Sequence, residues 1–224
     1  MRVVLVSTAL REPFSKRFEA CAATWSWLER QGFLVLRLVG DEGLAEPKLS
    51  EKTLRVPVKD EWQNLGVKLW WGLKWVCDTV ANLDGVFKLD DDVEVLDTTR
   101  AAEDMDALSK FPFSSLGVGV VHAHVPITYA QPRVPSSSPW SKVPVEFDNS
   151  FAYASGSFLF LSAASAKRLA TLPVLVQMGQ IPLEDVLVGK LMAEARVPLT
   201  VVSSPAFRWS HLDTTIGCSL PPAQ

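Results

Sequence analysis

The fold of this chain is decided by residues 85–92, which read Gly85-Val86-Phe87-Lys88-Leu89-Asp90-Asp91-Asp92. Apart from one lysine, the first five residues are apolar or glycine, and this short run predicts a buried strand. The three aspartates then stand at the carboxyl end of that strand. Because ligands of open α/β sheets bind outside the carboxyl ends of the strands, the stretch predicts a ligand site at residues 90–92.

Outward from this stretch, short apolar runs alternate with longer segments of helical period. This pattern predicts an α/β domain with a mainly parallel central sheet flanked by helices. Strands are predicted at residues 3–6, 33–39, 54–58, 85–89, 93–96, 116–121, 158–161 and 200–202. Helices are predicted at residues 14–31, 60–80, 99–109, 163–171 and 183–195, with Asp60 as an N-cap and Gly32 as a C′ residue.

Length and composition bound the domain organisation. With 224 residues, of which 48% are hydrophobic, residues 1–224 are expected to form a single domain with one substantial core. A stretch rich in Pro and Ser at about residues 126–149 lacks periodicity and predicts a mobile loop, and residues 203–224 predict an irregular tail.

Charge and cysteine content exclude several classes of function. The chain has 22 basic and 25 acidic residues, so no broad cationic surface is available for nucleic acid. Its three cysteines show no CxxC spacing, and no apolar run reaches the roughly 18 residues of a membrane span. We therefore expect a cytoplasmic protein that binds no nucleic acid and has no membrane span.

Three consecutive carboxylates repel one another, so a fold tolerates them where they are solvated, where they cap a helix, or where a cation neutralises them. Mg²⁺ and Mn²⁺ bind carboxylate and phosphate oxygens together. In an extended triplet, Asp90 and Asp92 face one way and Asp91 the other. On its own the triplet is ambiguous, because acidic turns after strands are common.

Other polar residues could complete a site. Glu184 and Asp185 lie in the first turn of a predicted helix, where free N–H groups stabilise negative charge. Ordinary helix chemistry explains the pair, but an ionised carboxylate there can also act as a general base. His211 could complete a metal shell. His122 and His124 share a strand face, and without a third ligand a structural or substrate-edge role is favoured over zinc.

Five segments in chain order carry a resemblance to a known family. They are residues 17–25 (RFEACAATW), 60–68 (DEWQNLGVK), 88–93 (KLDDDV), 153–162 (YASGSFLFLS) and 184–189 (EDVLVG). These segments resemble motifs of the β-1,3-galactosyltransferase and Fringe-like glycosyltransferases. The chain departs from the motifs at Ala22, where an arginine is usual, and at Phe158 and Leu159, where a glycine and an aromatic residue are usual.

The resemblance implies a catalytic core with a GT-A-type, Rossmann-like fold. It implies Mn²⁺ or Mg²⁺ as cofactor, a UDP-sugar as donor substrate, and transfer of a hexose to a hydroxyl of a glycan or glycoprotein acceptor. Galactose and N-acetylhexosamine are the expected sugars. The chain shows none of the family's membrane anchor, stem or paired cysteines, which fits the cytoplasmic expectation and a bacterial or viral version of the core.

The resemblance also implies roles for individual residues. Asp185 is the expected catalytic base of an inverting displacement. The expected metal ligands are Asp92, Asp90 and His211. Nucleotide contacts are expected from Asp90, Asp91, Lys68 and the loop after the first strand, through Ser7, Thr8 and Arg11. The expected acceptor side comprises Gly156, Ser157, Glu184 and Trp209.

Two alternatives from other classes compete with this interpretation. Haloacid-dehalogenase phosphatases also carry Asp-x-Asp after a strand, but that motif normally follows the first strand, with Thr or Val two places on, where this chain has Glu94. The second alternative is a non-catalytic nucleotide-sugar or sugar-binding module with the same fold. The departures at Ala22, Phe158 and Leu159 are what would favour it.

Overall fold

The computed structural model describes residues 1–61, 64–116, 153, 158–172 and 184–209. The described strands are β1 (Arg2–Ser7), β2 (Phe33–Gly40), β3 (Lys48–Ser50), β4 (Thr53–Val56), β5 (Gly85–Asp90), β6 (Val93–Val95), β7 (Phe113–Leu116), β8 (Phe158–Ser162), β9 (Leu199–Val202) and β10 (Phe207–Trp209). The described helices are α1 (Phe14–Arg30), α2 (Leu65–Thr79), α3 (Thr98–Leu108), α4 (Ala163–Thr171) and α5 (Glu184–Glu194).

One eight-stranded sheet dominates the described part of the chain, with strand order β3-β4-β2-β1-β5-β8-β7-β9. The four strands β4, β2, β1 and β5 run parallel, as do β7 and β9. Antiparallel pairing occurs at β3 and on both sides of β8. The predicted α/β architecture with a mainly parallel sheet is therefore confirmed, and β8 is its antiparallel insertion.

Helices cover both faces of the sheet, which is why the central strands are almost entirely buried. Alternate residues of β1 enter different cores: Val3 and Leu5 pack on the side of α2, α4 and α5, whereas Val4 and Val6 pack on the side of α1 and α3. The α2 helix approaches closely because residue 72 is glycine. A Cβ there would lie 3.0 Å from a Leu38 methyl carbon.

The described helices are of ordinary length for a globular domain, with 17 residues in α1 and 15 in α2. No helix in the described ranges is long and apolar enough to cross a membrane. The predicted end of α1 is confirmed, because Gly32 adopts φ +80° just beyond the helix.

The predicted start of α2 is wrong. The helix begins at Leu65, and Asn64 occupies the N-cap position without a capping hydrogen bond from its side chain. Asp60 instead accepts a hydrogen bond at 2.9 Å from the buried ammonium of Lys68. A buried cation needs a carboxylate partner, and the burial of Lys68 therefore decides where the Asp60 side chain lies.

Two other segments bear on the expectations. The strand predicted at residues 116–121 overlaps β7 at Leu116, and residues 117–121 lie outside the described residues. β7 also contains the fully buried Ser114 and Ser115. Their hydroxyls donate to the backbone carbonyls of Leu108 and Phe158, so burial leaves no unpaired donor. The tail predicted to be irregular contains β10, which pairs antiparallel with β6 in a small second sheet. The Pro- and Ser-rich stretch at 126–149 lies outside the described residues.

Candidate active site

The acidic triplet lies where two central strands end side by side. Ser7, the last residue of β1, pairs with Asp90, the last residue of β5. Asp91 and Asp92 then form a turn before β6, so the extended triplet expected from the sequence is not observed. Within this turn the side chains differ in environment: Asp90 is about one-third exposed, at 32%, whereas Asp91 is buried at 3%.

Asp91 is held entirely by other parts of the protein. One carboxylate oxygen accepts a 2.6 Å hydrogen bond from the Thr8 hydroxyl, and the other forms an ion pair with Arg17 of α1. Burial raises the pKa of Asp91, although the nearby Arg17 opposes the rise. Since both oxygens have partners, Asp91 joins the end of β5 to the loop after β1 and to α1.

Hydrogen bonds to backbone groups of the loop after β1 hold this loop against the rest of the protein. The Thr8 N–H donates to the Leu38 carbonyl at 3.1 Å, and the Lys68 ammonium donates to the Thr8 carbonyl at 2.7 Å. Arg37, which lies over the Phe18 ring, donates to the Ala9 carbonyl at 3.4 Å. Further along the loop, Leu10 and Arg11 are exposed. The inner face of the loop is thus anchored, and its outer residues face solvent.

The carboxylate of Asp92 has fewer stabilising partners in the described residues than those of Asp90 and Asp91. Its Oδ1 atom is buried and has no hydrogen-bond partner among the described residues. Burial, followed by repulsion from Asp90, raises the pKa of Asp92 to about 6, although Arg17 favours the charged form. A carboxylate in this environment is stabilised by any cation or donor that reaches it.

Lys88 links the triplet to the helix that carries the second acidic pair. Its side chain is only 2% exposed, and its ammonium lies 2.7 Å from Asp90 Oδ1 and 2.9 Å from Glu184 Oε2. Burial on its own would lower the pKa of Lys88. The two carboxylates outweigh that effect and raise the pKa, so the lysine stays charged inside the protein.

The first turn of α5 presents two carboxyl groups with perturbed acidity. Burial raises the pKa of Glu184 to about 7, even though Lys88 favours its charged form, and Glu184 Oε1 has no partner in the described part of the chain. Burial also raises the pKa of Asp185, which accepts a hydrogen bond from the Val186 N–H at 2.9 Å. The pKa of Tyr153 is raised to about 12 by burial and then by the charge of Asp185.

Thr24 and Trp25 of α1 hold the strand that follows the triplet. The Trp25 indole N–H donates to the Val93 carbonyl at 2.8 Å, and the Val95 N–H donates to the Thr24 hydroxyl at 3.1 Å. Arg17 lies two turns earlier on the same helix and therefore faces the same region. This geometry explains why the Thr-Trp pair and the triplet belong together although they are far apart in sequence.

Buried polar atoms without partners concentrate around this edge of the sheet. Seven such side-chain atoms occur in the described residues, and five of them belong to Ser7, Arg17, Arg37, Asp92 and Glu184. The other two are the indole nitrogens of Trp27 and Trp70. Because proteins rarely leave buried polar atoms unpaired, the concentration marks the place where a polar ligand would supply partners.

Several predicted site residues lie outside the described residues: His211, Gly156 and Ser157, together with the structural pair His122 and His124. Only the backbone of Trp209 is described, and it pairs with Val93. Within the described ranges, no group of three or more His, Cys, Asp and Glu side chains is arranged to hold a metal ion. The metal site therefore remains a prediction that rests on Asp90 and Asp92.

Comparison with known proteins identifies the family. Residues 41–202, more than half of the chain, match the Galactosyltransferase family. The chain belongs to the galactosyltransferase family. A comparison with curated proteins found no match. Among solved structures, it is similar to a glycosyltransferase involved in the glycosylation of the major capsid of PBCV-1, with a TM-score of 0.50 and 11% identity over 91% of this chain and 81% of that chain.

Membership of the galactosyltransferase family confirms the prediction of a glycosyltransferase and rules out the phosphatase alternative. The structural similarity, at its low identity, bears on the fold alone and agrees with the expected GT-A-type architecture. The family match begins after residues 17–25, so the Thr24–Trp25 contacts with β6 are an observation of this structure rather than part of that match.

Two residues of this candidate site have no assigned role in the sequence-based predictions. Lys88 is part of a resembling segment, and a lysine inside an apolar strand beside three aspartates is a signal of a buried ion pair. Arg17 also begins a resembling segment, and its spacing to Cys21 and Trp25 on one helix face indicates a side chain that points inward.

Proposed function

We propose that this galactosyltransferase-family protein transfers a hexose, galactose or N-acetylhexosamine, from a UDP-sugar to a hydroxyl of a glycan or glycoprotein acceptor. The transfer is metal-dependent and inverts the configuration of the sugar. The observation that carries the proposal is the buried Oδ1 of Asp92, which has no hydrogen-bond partner among the described residues, beside the partly exposed Asp90 at the carboxyl end of β5.

The residues present fit a hard divalent cation. Asp92 and Asp90 offer carboxylate oxygens, which Mn²⁺ and Mg²⁺ prefer. Burial and then repulsion from Asp90 raise the pKa of Asp92, and a bound cation would favour its charged form against both. Asp92 and Asp90 would hold the ion, with His211 as the expected third ligand. When bound, the ion would act as a Lewis acid that neutralises charge developing on the departing diphosphate.

The surrounding residues divide into those that contact the donor and those that shape the site. The proposed nucleotide contacts at the end of β1 and in the loop after it are Ser7 and the exposed Arg11. The buried hydroxyl of Ser7 has no partner in the part of the chain that the structure describes. Thr8, Asp91 and Lys68 were also expected to contact the nucleotide. Their polar groups are engaged with one another or with Asp60 and Arg17, and we assign them to holding the loop and the triplet in place.

Asp185 is the proposed general base. Its position in the first turn of α5 and the rise of its pKa on burial both suit a carboxylate that accepts a proton from a hydroxyl near neutral pH. Deprotonation of the acceptor on the face opposite the diphosphate gives a single displacement with inversion. Glu184, Gly156, Ser157 and Trp209 are the proposed acceptor side.

The proposal is tested by measuring UDP release from UDP-galactose, UDP-N-acetylglucosamine and UDP-N-acetylgalactosamine, with and without EDTA and with Mn²⁺ restored. Asp92→Asn should abolish the response to Mn²⁺, and Asp185→Asn should lower kcat for transfer by about 100-fold or more. Asp78→Asn is the matched control, because this exposed carboxylate on α2 pairs with Lys74 of the same helix and belongs to no part of the candidate site. Full activity in EDTA would overturn the metal role, and full activity of Asp185→Asn would overturn the base assignment.

A further inference from the structure

We propose that Lys88 is a positioning residue that sets the first turn of α5, and hence Asp185, relative to the triplet. This inference rests on the proposed function for the meaning of the two acidic groups. Its structural core is a single observation: one buried nitrogen atom lies between the carboxylate of Asp90 and that of Glu184.

The direction of the Lys88 side chain follows from the strand. Along β5, Val86 packs in the core beside α2, α4 and α5, whereas Phe87 and Leu89 pack in the core beside α1 and α3. Lys88, two residues after Val86, therefore faces the α5 side of the sheet. It leaves the interior of a central strand and meets Glu184, the first residue of α5.

Burying a lysine at this position costs free energy, because its charge loses contact with water. An apolar side chain of similar volume would pack between the sheet and α5 without desolvating a charge, and such replacements of buried ion pairs are often neutral or stabilising. An apolar contact, however, would not fix the positions of the two carboxylates. Each of the two ion pairs restricts one carboxylate oxygen to hydrogen-bonding distance of the same ammonium, at 2.7 and 2.9 Å.

The link reaches the proposed base through one peptide bond. Glu184 and Asp185 are adjacent in the first turn of α5, so fixing Glu184 against β5 also restricts the position of Asp185. Asp90 is the last residue of β5 and one of the two carboxylates that would hold the metal. Lys88 thus joins the donor end and the base end of the site without touching either substrate.

The test combines a structural and a kinetic measurement on Lys88→Met, which keeps the length of the side chain and removes its charge. Hydrogen exchange should accelerate by about tenfold or more in peptides covering residues 184–189, with little change in β1 and β2. In the kinetic measurement, kcat for transfer to the acceptor should fall by about 100-fold, since misplacement of a base by about 1 Å has such an effect. The Kd for UDP measured in EDTA should change by less than about threefold, because the proposed nucleotide contacts, Ser7 and Arg11, are kept.

Four further variants separate positioning from general loss of stability. Leu108→Ala removes a fully buried side chain from α3, away from the ion pairs, and should leave kcat per folded molecule and exchange at 184–189 unchanged. Lys88→Arg combined with Glu184→Asp lengthens the cation, shortens the carboxylate and should recover part of kcat. Glu184→Gln should lower kcat, and it should lower kcat much less in the Lys88→Met background than in the wild type, because both substitutions remove the same link.

The outcomes distinguish this inference from the proposed function. Wild-type protein that transfers no sugar overturns the proposed function, and faster exchange confined to residues 184–189 in Lys88→Met still supports the link between β5 and α5. Unchanged exchange in that segment overturns the inference even when the wild-type enzyme is active. Equal kcat losses in Lys88→Met and Leu108→Ala, or additive losses from Lys88→Met and Glu184→Gln, overturn it as well.

Discussion

Arg17 of α1 and Asp91, the middle residue of the acidic triplet, form an ion pair in which the carboxylate is almost completely buried. The same carboxylate accepts a hydrogen bond from Thr8. The most buried member of the triplet is therefore occupied by the protein itself. This leaves Asp90 and Asp92 as the members that can contact a bound ligand. Within this single motif, one residue holds the structure together and two are available for binding.

Arg17→Leu should destabilise the protein, because it leaves the buried Asp91 with only Thr8 as a partner. We expect a loss of about 2–3 kcal/mol in the free energy of unfolding by urea, below the value for a fully buried pair because Arg17 is partly exposed. Arg17→Lys should lose less. The control is Arg208→Leu, which removes the ion pair of the largely exposed Arg208 with Glu94 and should have the smaller effect, about 1 kcal/mol. Equal losses in the two leucine variants would contradict the structural role of Asp91.

Trp25→Phe should weaken the support of β6 while keeping an aromatic ring in the core. The variant leaves the Val93 carbonyl without its indole donor, at a cost of about 1–3 kcal/mol in unfolding free energy. Because Val93 follows Asp92 directly, Mn²⁺-dependent binding of UDP, measured by calorimetry, should weaken too. Trp27→Phe is the matched control, since the buried indole N–H of Trp27 has no partner in the described part of the chain. Comparable effects of the two substitutions would show that the Trp25 hydrogen bond is unimportant.

Glu184 should make stability depend on pH in a defined window. The pKa of Glu184 in the folded state, about 7, lies above the ordinary value of 4.5. Between these two pH values the folded state therefore holds a proton that the unfolded state has lost. The stabilisation is fully present below pH 4.5 and is lost as pH rises through about 7. Urea unfolding in EDTA should show the free energy of the wild type falling relative to that of Glu184→Gln between these pH values. A difference that is constant over this range would contradict the raised pKa.

Mn²⁺ should stabilise the folded protein through Asp92. A ligand that binds only the folded state adds about 2.7 kcal/mol to the free energy of unfolding at a concentration about 100 times its Kd. The temperature of thermal unfolding should therefore rise when Mn²⁺ is added. Asp92→Asn should lose this shift, and Asp78→Asn, an exposed carboxylate on α2, should retain it. The measurement needs no substrate, which makes it independent of the identity of the sugar and the acceptor. An unchanged shift in Asp92→Asn would remove this residue from the proposed ligands.

Much of the fold could be predicted from sequence because its signals are local. Burial on both faces requires apolar runs such as Val3 to Val6, and helices against the sheet require apolar residues at helical spacing. Gly32 marked the end of α1 for an equally local reason, a backbone conformation with positive φ. The location of the triplet at a strand end followed from the same pattern.

The error at Asp60 arose because a buried charge competes for its carboxylate. Asp60 has the composition of an N-cap, yet the buried ammonium of Lys68, in the same 60–68 segment, takes its carboxylate. Ser114 and Ser115 look too polar for a buried strand, yet backbone carbonyls accept their hydroxyl protons. In each case the choice of partner depends on how deeply the group is buried in the folded chain, which hydrophobic periodicity does not show.

By itself, the sequence determined the order of most strands and helices, the family motifs and the position of Asp90, Asp91 and Asp92 after a strand, because hydrophobic periodicity and short motifs act over neighbouring residues. Only the tertiary structure decided that Asp91 turns inward to Arg17 and that Lys88 connects Asp90 with Glu184. The physical reason is that a buried charge must find its counter-charge in space. The residue that supplies it is chosen by the packing of the sheet and its helices.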